Sequence, residues 1–144
     1  VILGDNRFQV PLREAIEAFR RDPTGALVLL KEVDDPERFG VARVEGDRVI
    51  EIIEKPVAPA GRLAVTGCYL YDTRVFDIVR TLTPSRRGEL EITDVNNRYI
   101  EWGALRHHML RGWWTDAGTV ASLHRAAALV ADDHRNPVLH EMLP

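Results

Sequence analysis

The chain alternates between apolar runs of strand length and stretches with helical spacing. Val1 to Leu3 read as the close of a buried strand that stops at Gly4-Asp5-Asn6. In "QVPLREAIEAFRRD", Leu12, Ala15, Ile16 and Phe19 recur at i, i+3, i+4 and i+7 with charges on the other face. That spacing predicts an amphipathic helix. Pro11 is tolerated in its first turn, and Pro23 with Gly25 closes it. "ALVLLKEV" is a continuous apolar run, expected of a strand buried on both faces. "DDPERFG" reads as a loop. "VARVEGDRVIEIIE" reads as two strands turning at Glu45 to Asp47, followed by the Pro-rich connector "KPVAPAG". "AVTGCYLYD" is a further strand, with Gly67 where a backbone can approach a ligand closely.

The second half is more helical. "TRVFDIVRTL" places Val75, Ile78, Val79 and Leu82 on one face of a short helix. Ile92, Val95, Tyr99 and Trp102 predict a helix from Glu91 to Trp102, ended by Gly103. Leu105 to Leu110 is expected to be a strand. Thr119 can cap a long last helix whose inner face is expected at Val120, Leu123, Ala127 and Val130. The tail "DDHRNPVLHEMLP" has no clear period and is expected to need a partner to order it. The mixture predicts one α/β domain, a sheet covered by helices, with no linker dividing it.

The bulk numbers narrow the function classes. A length of 144 residues suits one domain with a real core. A net charge of -3 gives no electrostatic argument for nucleic acid. No apolar run approaches the roughly 20 residues needed to span a membrane, so no membrane partner is expected. A single cysteine, Cys68, forms no internal disulfide and fits a reducing cytosol, so a cytoplasmic location is expected. The opening "VILGDN" has no initiator methionine and an apolar run already in progress, so the chain is expected to be a piece of a longer protein.

Several side chains could carry chemistry. Asp5 follows a strand in an open α/β pattern, where ligands gather at the carboxyl ends of strands. A carboxylate there either binds magnesium or caps the next helix. Asp116, in "WWTDAGT", lies between aromatics that need burial and a glycine turn. It is either a paired or metal-bound acid or a turn residue. Glu54 and Lys55, in "IEKP", are neighbours at a strand end. Alternation sends one of them away from the other unless the strand ends or bends at Pro56. Such a pair offers a carboxylate to sugar hydroxyls and an ammonium to a phosphate; the other reading is an exposed strand end. Arg86 and Arg87 precede a helix N-terminus, where an arginine and backbone N–H groups can hold an anion. Glu91 and Asp94 read as helix-surface acids. His107 and His108 are neighbours on a strand and point opposite ways, and the five histidines have no metal-ligand spacing. Cys68 reads as a packed strand residue. No GxSxG, P-loop or GxGxxG motif occurs.

Taken together, "LGDN", "DDPERFGVA", "IIEKP", "AVTGCYLYD", "PSRRGELEITDVNNRYI" and "GWWTDAGTVASL" resemble, in order and approximate spacing, the glucose-1-phosphate thymidylyltransferases. The match runs from Val1 to about Val130. The resemblance implies a Rossmann-like nucleotidyltransferase fold with a mixed sheet covered by helices, these residues forming the C-terminal, sugar-phosphate-binding portion of one domain. It implies the reaction of glucose-1-phosphate with dTTP to give dTDP-glucose and pyrophosphate, as used in deoxysugar biosynthesis. It implies magnesium held by residues matching Asp5 and Asp116. It implies sugar contacts at Gly40, Glu54 and Val65, with Gly67 in the same cleft. Lys55 and Arg87 are implied to contact the sugar phosphate, with Tyr69 beside them. Oligomers are the rule in this family, so a homo-oligomer is expected, with the apolar tail as a candidate contact. The family's Gly-rich "GGxGTRLxPxT" loop, which cradles the triphosphate, has no match here, so the 144 residues alone are expected to be inactive. Alternatives left open are a non-catalytic sugar-phosphate-binding or regulatory module, and a pyrophosphorylase for another nucleotide or sugar.

Overall fold

The computed structural model describes residues 1–85 and 88–135. Arg86, Arg87 and residues 136–144 lie outside the described residues, and so does most of the tail expected to need a partner. The elements are β1 (Asn6–Phe8), α1 (Arg13–Arg21), β2 (Ala26–Glu32), β3 (Gly40–Glu45), β4 (Arg48–Glu54), β5 (Leu63–Tyr71), α2 (Val75–Thr81), α3 (Ile92–Glu101), β6 (Leu105–Met109), β7 (Trp114–Asp116) and α4 (Val120–Arg135). "DDPERFG" contains one 3-10 turn, Pro36–Arg38. The fold is α/β, with a mixed sheet carrying helices.

Five strands run in the order β2-β5-β3-β4-β6 and close on themselves. β2 and β6 are parallel, and the other pairings are antiparallel. The closing seam is one pairing, Arg48 with Arg106. β2 is the hub, and its apolar run is buried on both faces. Ala26, Val28 and Leu30 enter a core with Ile52, Tyr69, Val95 and Tyr99. Leu27 and Leu29 enter a second core with Ala15, Cys68, Leu110 and Trp114. A strand that fills two cores has no polar face to alternate, which accounts for "ALVLL".

β1 and β7 form a separate antiparallel ribbon, pairing Asn6 with Asp116, Arg7 with Thr115 and Phe8 with Trp114. The ribbon meets the larger sheet where the β2–β5 ladder is irregular. Val28 faces Tyr69 and Leu30 faces Val65, which leaves Thr66, Gly67 and Cys68 opposite Leu29. This β5 segment finds main-chain partners in the first residues. Leu3 N–H donates to Gly67 O at 2.8 Å and Tyr69 N–H to Val1 O at 2.9 Å. Val1 to Leu3 are therefore strand-like, but they are not buried, at 69, 60 and 43% exposed. They pair with β5 through the backbone, and no layer among the described residues covers their side chains.

A second expectation fails in α4. Thr119 does cap it: Ser122 N–H donates to Thr119 Oγ1 at 3.1 Å, and Thr119 N–H donates to Ser122 Oγ at 3.0 Å. The buried face is Ser122 and Ala126, while Val120 is 75% and Leu123 56% exposed. Small side chains let the helix lie close on β7, which turns the larger apolar stripe outward. α4 also continues through the first residues of the tail, to Arg135.

Candidate functional site

The strand ends and the ribbon open onto a cleft of about 550 Å³. Every described residue singled out for the site lines it: Asp5, Gly40, Glu54, Lys55, Val65, Gly67, Tyr69 and Asp116. Arg87 lies outside the described residues.

The two aspartates are brought together by the β1–β7 register, which sets Asp116 opposite Asn6, next to Asp5. Ala117 N–H donates to Asp5 O at 2.7 Å, holding the two chain segments at that point. A Cβ placed on Gly118 would lie 3.1 Å from Asp5 Oδ2 and 3.8 Å from Asp116 Oδ2. The two carboxylate oxygens thus both lie beside Gly118, where an added side chain would crowd Asp5. Asn6, not singled out in the sequence, aims Asp5. Its Nδ2 donates to Asp5 Oδ1 at 2.9 Å, while its Oδ1 accepts from Gly67 N–H at 2.9 Å and from Trp114 Nε1–H at 2.7 Å. Gly67 lines the cleft and also has a packing role. Its missing side chain makes room for the Asn6 amide, since a Cβ there would sit 2.6 Å from Asn6 Cγ.

Arg38 was also missed. Its Nη2 donates to both oxygens of Asp116, at 3.0 and 3.1 Å, and its Nη1 donates to Asp35 Oδ2 at 2.8 Å. Its guanidinium lies 5.0 Å over the Phe39 ring, and that ring packs on Trp114 at 5.0 Å. The hydrogen bond to Asp35 raises the Arg38 pKa, with the nearby Asp116 charge adding to it against the effect of burial. Burial pushes the Asp35 carboxyl up, but Arg38 and then Arg125 outweigh it and hold it low.

On the other wall, β4 ends at Glu54, and Lys55 has a left-handed backbone (φ 43°). Non-glycine residues adopt that conformation at a cost. Here it bends the chain at the strand end, and both Glu54 and Lys55 line the cleft. Lys55 N–H donating to Phe39 O at 3.0 Å fixes the bend. Thr93, the second residue of α3, donates to Glu54 Oε2 at 2.6 Å. Gly40 pairs with Glu54 across the strands, and a Cβ on it would meet Glu54 Oε2 at 3.2 Å. Burial first, then the charges of Glu54, Cys68 and Asp5, raises the Tyr69 pKa, so its phenol stays protonated. Asn6, Arg38 and Thr93 all belong to motif segments quoted from the sequence. Their signal was adjacency to Asp5, Gly40 and Glu91, and what each one touches depends on long-range pairing.

Elsewhere His107 and His108 point apart, His107 Nδ1 toward Asp47 O at 3.2 Å and His108 Nε2 toward Glu14 at 3.8 Å. Among the described residues no three His, Cys, Asp or Glu side chains gather as a metal cage, and no helix is long and apolar enough to cross a membrane.

The site is a cleft at strand ends, with two acidic residues on one side and a Glu–Lys pair on the other, in a mixed sheet carrying helices. The family described as Nucleotidyl transferase matches residues 1–133, and the chain belongs to it. A glucose-1-phosphate thymidylyltransferase of Neisseria meningitidis is 43% identical over 134 residues, covering 90% of this chain and 46% of the relative. The low-salt glycan biosynthesis nucleotidyltransferase Agl11 of Haloferax volcanii is 40% identical over 133 residues, covering 91% and 37%. A Bacillus anthracis protein provisionally assigned as a glucose-1-phosphate thymidylyltransferase, crystallised with sucrose, superposes with a TM-score of 0.82 at 56% identity, covering 90% of this chain and 52% of its own. An apo UDP-glucose pyrophosphorylase shares the fold, with a TM-score of 0.78 at 23% identity. The chain spans less than half the length of these two curated relatives.

Proposed function

We propose that the full-length protein transfers a thymidylyl group from dTTP to glucose-1-phosphate. An oxygen of the sugar phosphate attacks the α-phosphorus of dTTP. The bond from that phosphorus to the oxygen bridging the β-phosphorus breaks, and pyrophosphate leaves with the electron pair, giving dTDP-glucose. The observation that carries this reading is the meeting of Glu54 and Lys55 with Asp5 and Asp116 in one cleft, in a chain of the nucleotidyl transferase family.

Each group has a task in the reading. Thr93 occupies Glu54 Oε2, which leaves Oε1 to accept from sugar hydroxyls. The absent side chain at Gly40 keeps the sugar's approach to Glu54 open, and Val65 borders the same space. The Lys55 ammonium, with Arg87, meets the sugar phosphate, and the protonated Tyr69 phenol can donate beside them. Asp5 and Asp116 are the residues that would hold magnesium. Two carboxylates beside Gly118 suit an ion that takes one or two carboxylates plus substrate phosphates. When bound, magnesium neutralises charge on the transferring phosphoryl group. The triphosphate loop of the resembled family lies outside these 144 residues. Homo-oligomeric assembly belongs to the same reading, and sedimentation velocity of the full-length protein checks it.

The test is pyrophosphate release by the full-length protein with glucose-1-phosphate and either dTTP or UTP. Faster turnover with dTTP is expected, and equal or faster turnover with UTP would replace the thymidylyl part. Lys55→Ala should lower kcat/KM for the sugar phosphate about 10- to 100-fold, the size of a lost charge-assisted hydrogen bond. An unchanged kinetic profile would remove Lys55 from the site. The 144-residue chain alone should form no dTDP-glucose, because in-line transfer needs both substrates held against each other. Robust turnover by it would overturn the assignment of the triphosphate cradle to residues beyond this chain.

A further inference from the structure

The Asp116 carboxylate already has a cation on it. Arg38 Nη2 donates to both of its oxygens, at 3.0 and 3.1 Å. The two arms of Arg38 are held unequally. Nη1 is tied to Asp35 at 2.8 Å, and Asp35 also faces Arg125 of α4 at 3.5 Å. The guanidinium plane rests over Phe39 at 5.0 Å. Nη2 is held by Asp116, on the cleft side. A divalent ion on Asp116 would have to share its two oxygens with Nη2, and two cations crowded on one carboxylate repel each other.

Resting on the metal reading above, we propose that Arg38 is the resident counter-cation of Asp116 and is exchanged on nucleotide binding. Without nucleotide, it fills the charge position of the divalent ion and keeps the protein's affinity for that ion low. With nucleotide, Nη1 stays on Asp35 and Phe39 while Nη2 moves from Asp116 to a phosphate oxygen. The arginine loses one anionic partner and gains another, so its cost of release falls only when metal and phosphate arrive together. Metal and nucleotide therefore bind cooperatively, and Arg38 is a positioning residue that sets this coupling.

The test titrates the full-length protein with manganese(II), the free ion read by its electron paramagnetic resonance signal. With no nucleotide present, Arg38→Met should bind manganese about tenfold tighter than wild type, a modest gain because the guanidinium is partly exposed and screened. Adding Asp116→Asn should abolish the gain. dTTP should raise manganese affinity in wild type by a larger factor than in Arg38→Met. Arg38→Gln, whose amide keeps a neutral donor near Asp35, provides a second variant, with circular dichroism reporting the fold of each. A merely structural ion pair predicts the opposite sign, since its loss would loosen Asp116 and weaken the metal. If both Arg38 variants bind manganese no tighter than wild type while Asp5→Asn weakens it, the exchange is wrong and the metal reading stands. If neither Asp5→Asn nor Asp116→Asn changes manganese binding, the metal reading falls and the exchange falls with it.

Discussion

Asn6 makes three side-chain hydrogen bonds, to Asp5, Gly67 and Trp114, and so ties both ribbon strands to the irregular stretch of β5. An amide held at both ends cannot move aside cheaply. Gly67→Ala would drive a methyl into it, 2.6 Å from Cγ. The variant should lose about 1–3 kcal/mol of stability, the usual cost of overpacking, measured by urea unfolding of the full-length protein. Unchanged stability would show that Asn6 yields without loss and does not lock Asp5. On the opposite wall the left-handed residue Lys55 ends the strand where it and Glu54 both line the cleft.

At the scale of elements, Asp72 at the end of β5 joins four segments. Its carboxylate accepts from Gly25 N–H before β2, from the Arg74 main chain and guanidinium before α2, and from Tyr99 Oη of α3. Burial works to raise its pKa, but the Arg74 hydrogen bond, followed by those from Gly25 and Tyr99, lowers it to about 2 from an ordinary 3.8. A carboxylate depressed by folding stabilises the native state above its unfolded pKa, and that contribution disappears as pH falls through the folded one. Wild type should therefore be more stable than Asp72→Asn at pH 7, by about 2 kcal/mol, and the gap should close between about pH 4 and pH 2. Urea unfolding across that range checks it; a gap independent of pH would mean that Asp72 stabilises by packing rather than by charge.

Elements were legible where a local period decides them. β2 was readable as an uninterrupted apolar run, the β3–β4 hairpin from its turn at Gly46, and α3 from Val95 and Tyr99 on one buried face. α4 was misread because Val120, Leu123, Ala127 and Val130 have a true helical period, yet the contact with β7 selects Ser122 and Ala126 for their small size. Val1 to Leu3 look buried by composition alone, because pairing without coverage leaves no mark in a short apolar run. The site residues were nameable through motif resemblance. That Arg38 sits on Asp116, or that Asn6 fills the space left by Gly67, depends on which distant strands pair, and no spacing along the chain encodes it.

Across the whole molecule, strength is unevenly spread. β2 is paired on both sides, to β5 and β6, and both of its faces are buried. The ribbon has three residue pairs. Hydrogen exchange of the full-length protein should show the β2 amides as the slowest and those of β1 and β7 opening earlier, since local opening follows burial and pairing. Ribbon amides that outlast β2 would reverse this ranking. The ribbon also imposes an order of assembly during synthesis. Asp5 leaves the ribosome before the barrel strands and Asp116 after all of them, and the two carboxylates share a corner only once β7 has folded back onto β1. Closing so long a loop is entropically costly until the intervening strands are built. A nascent chain can thus complete the Glu54–Lys55 wall while its acidic corner is still open, and that corner is finished among the last parts of this stretch to be made.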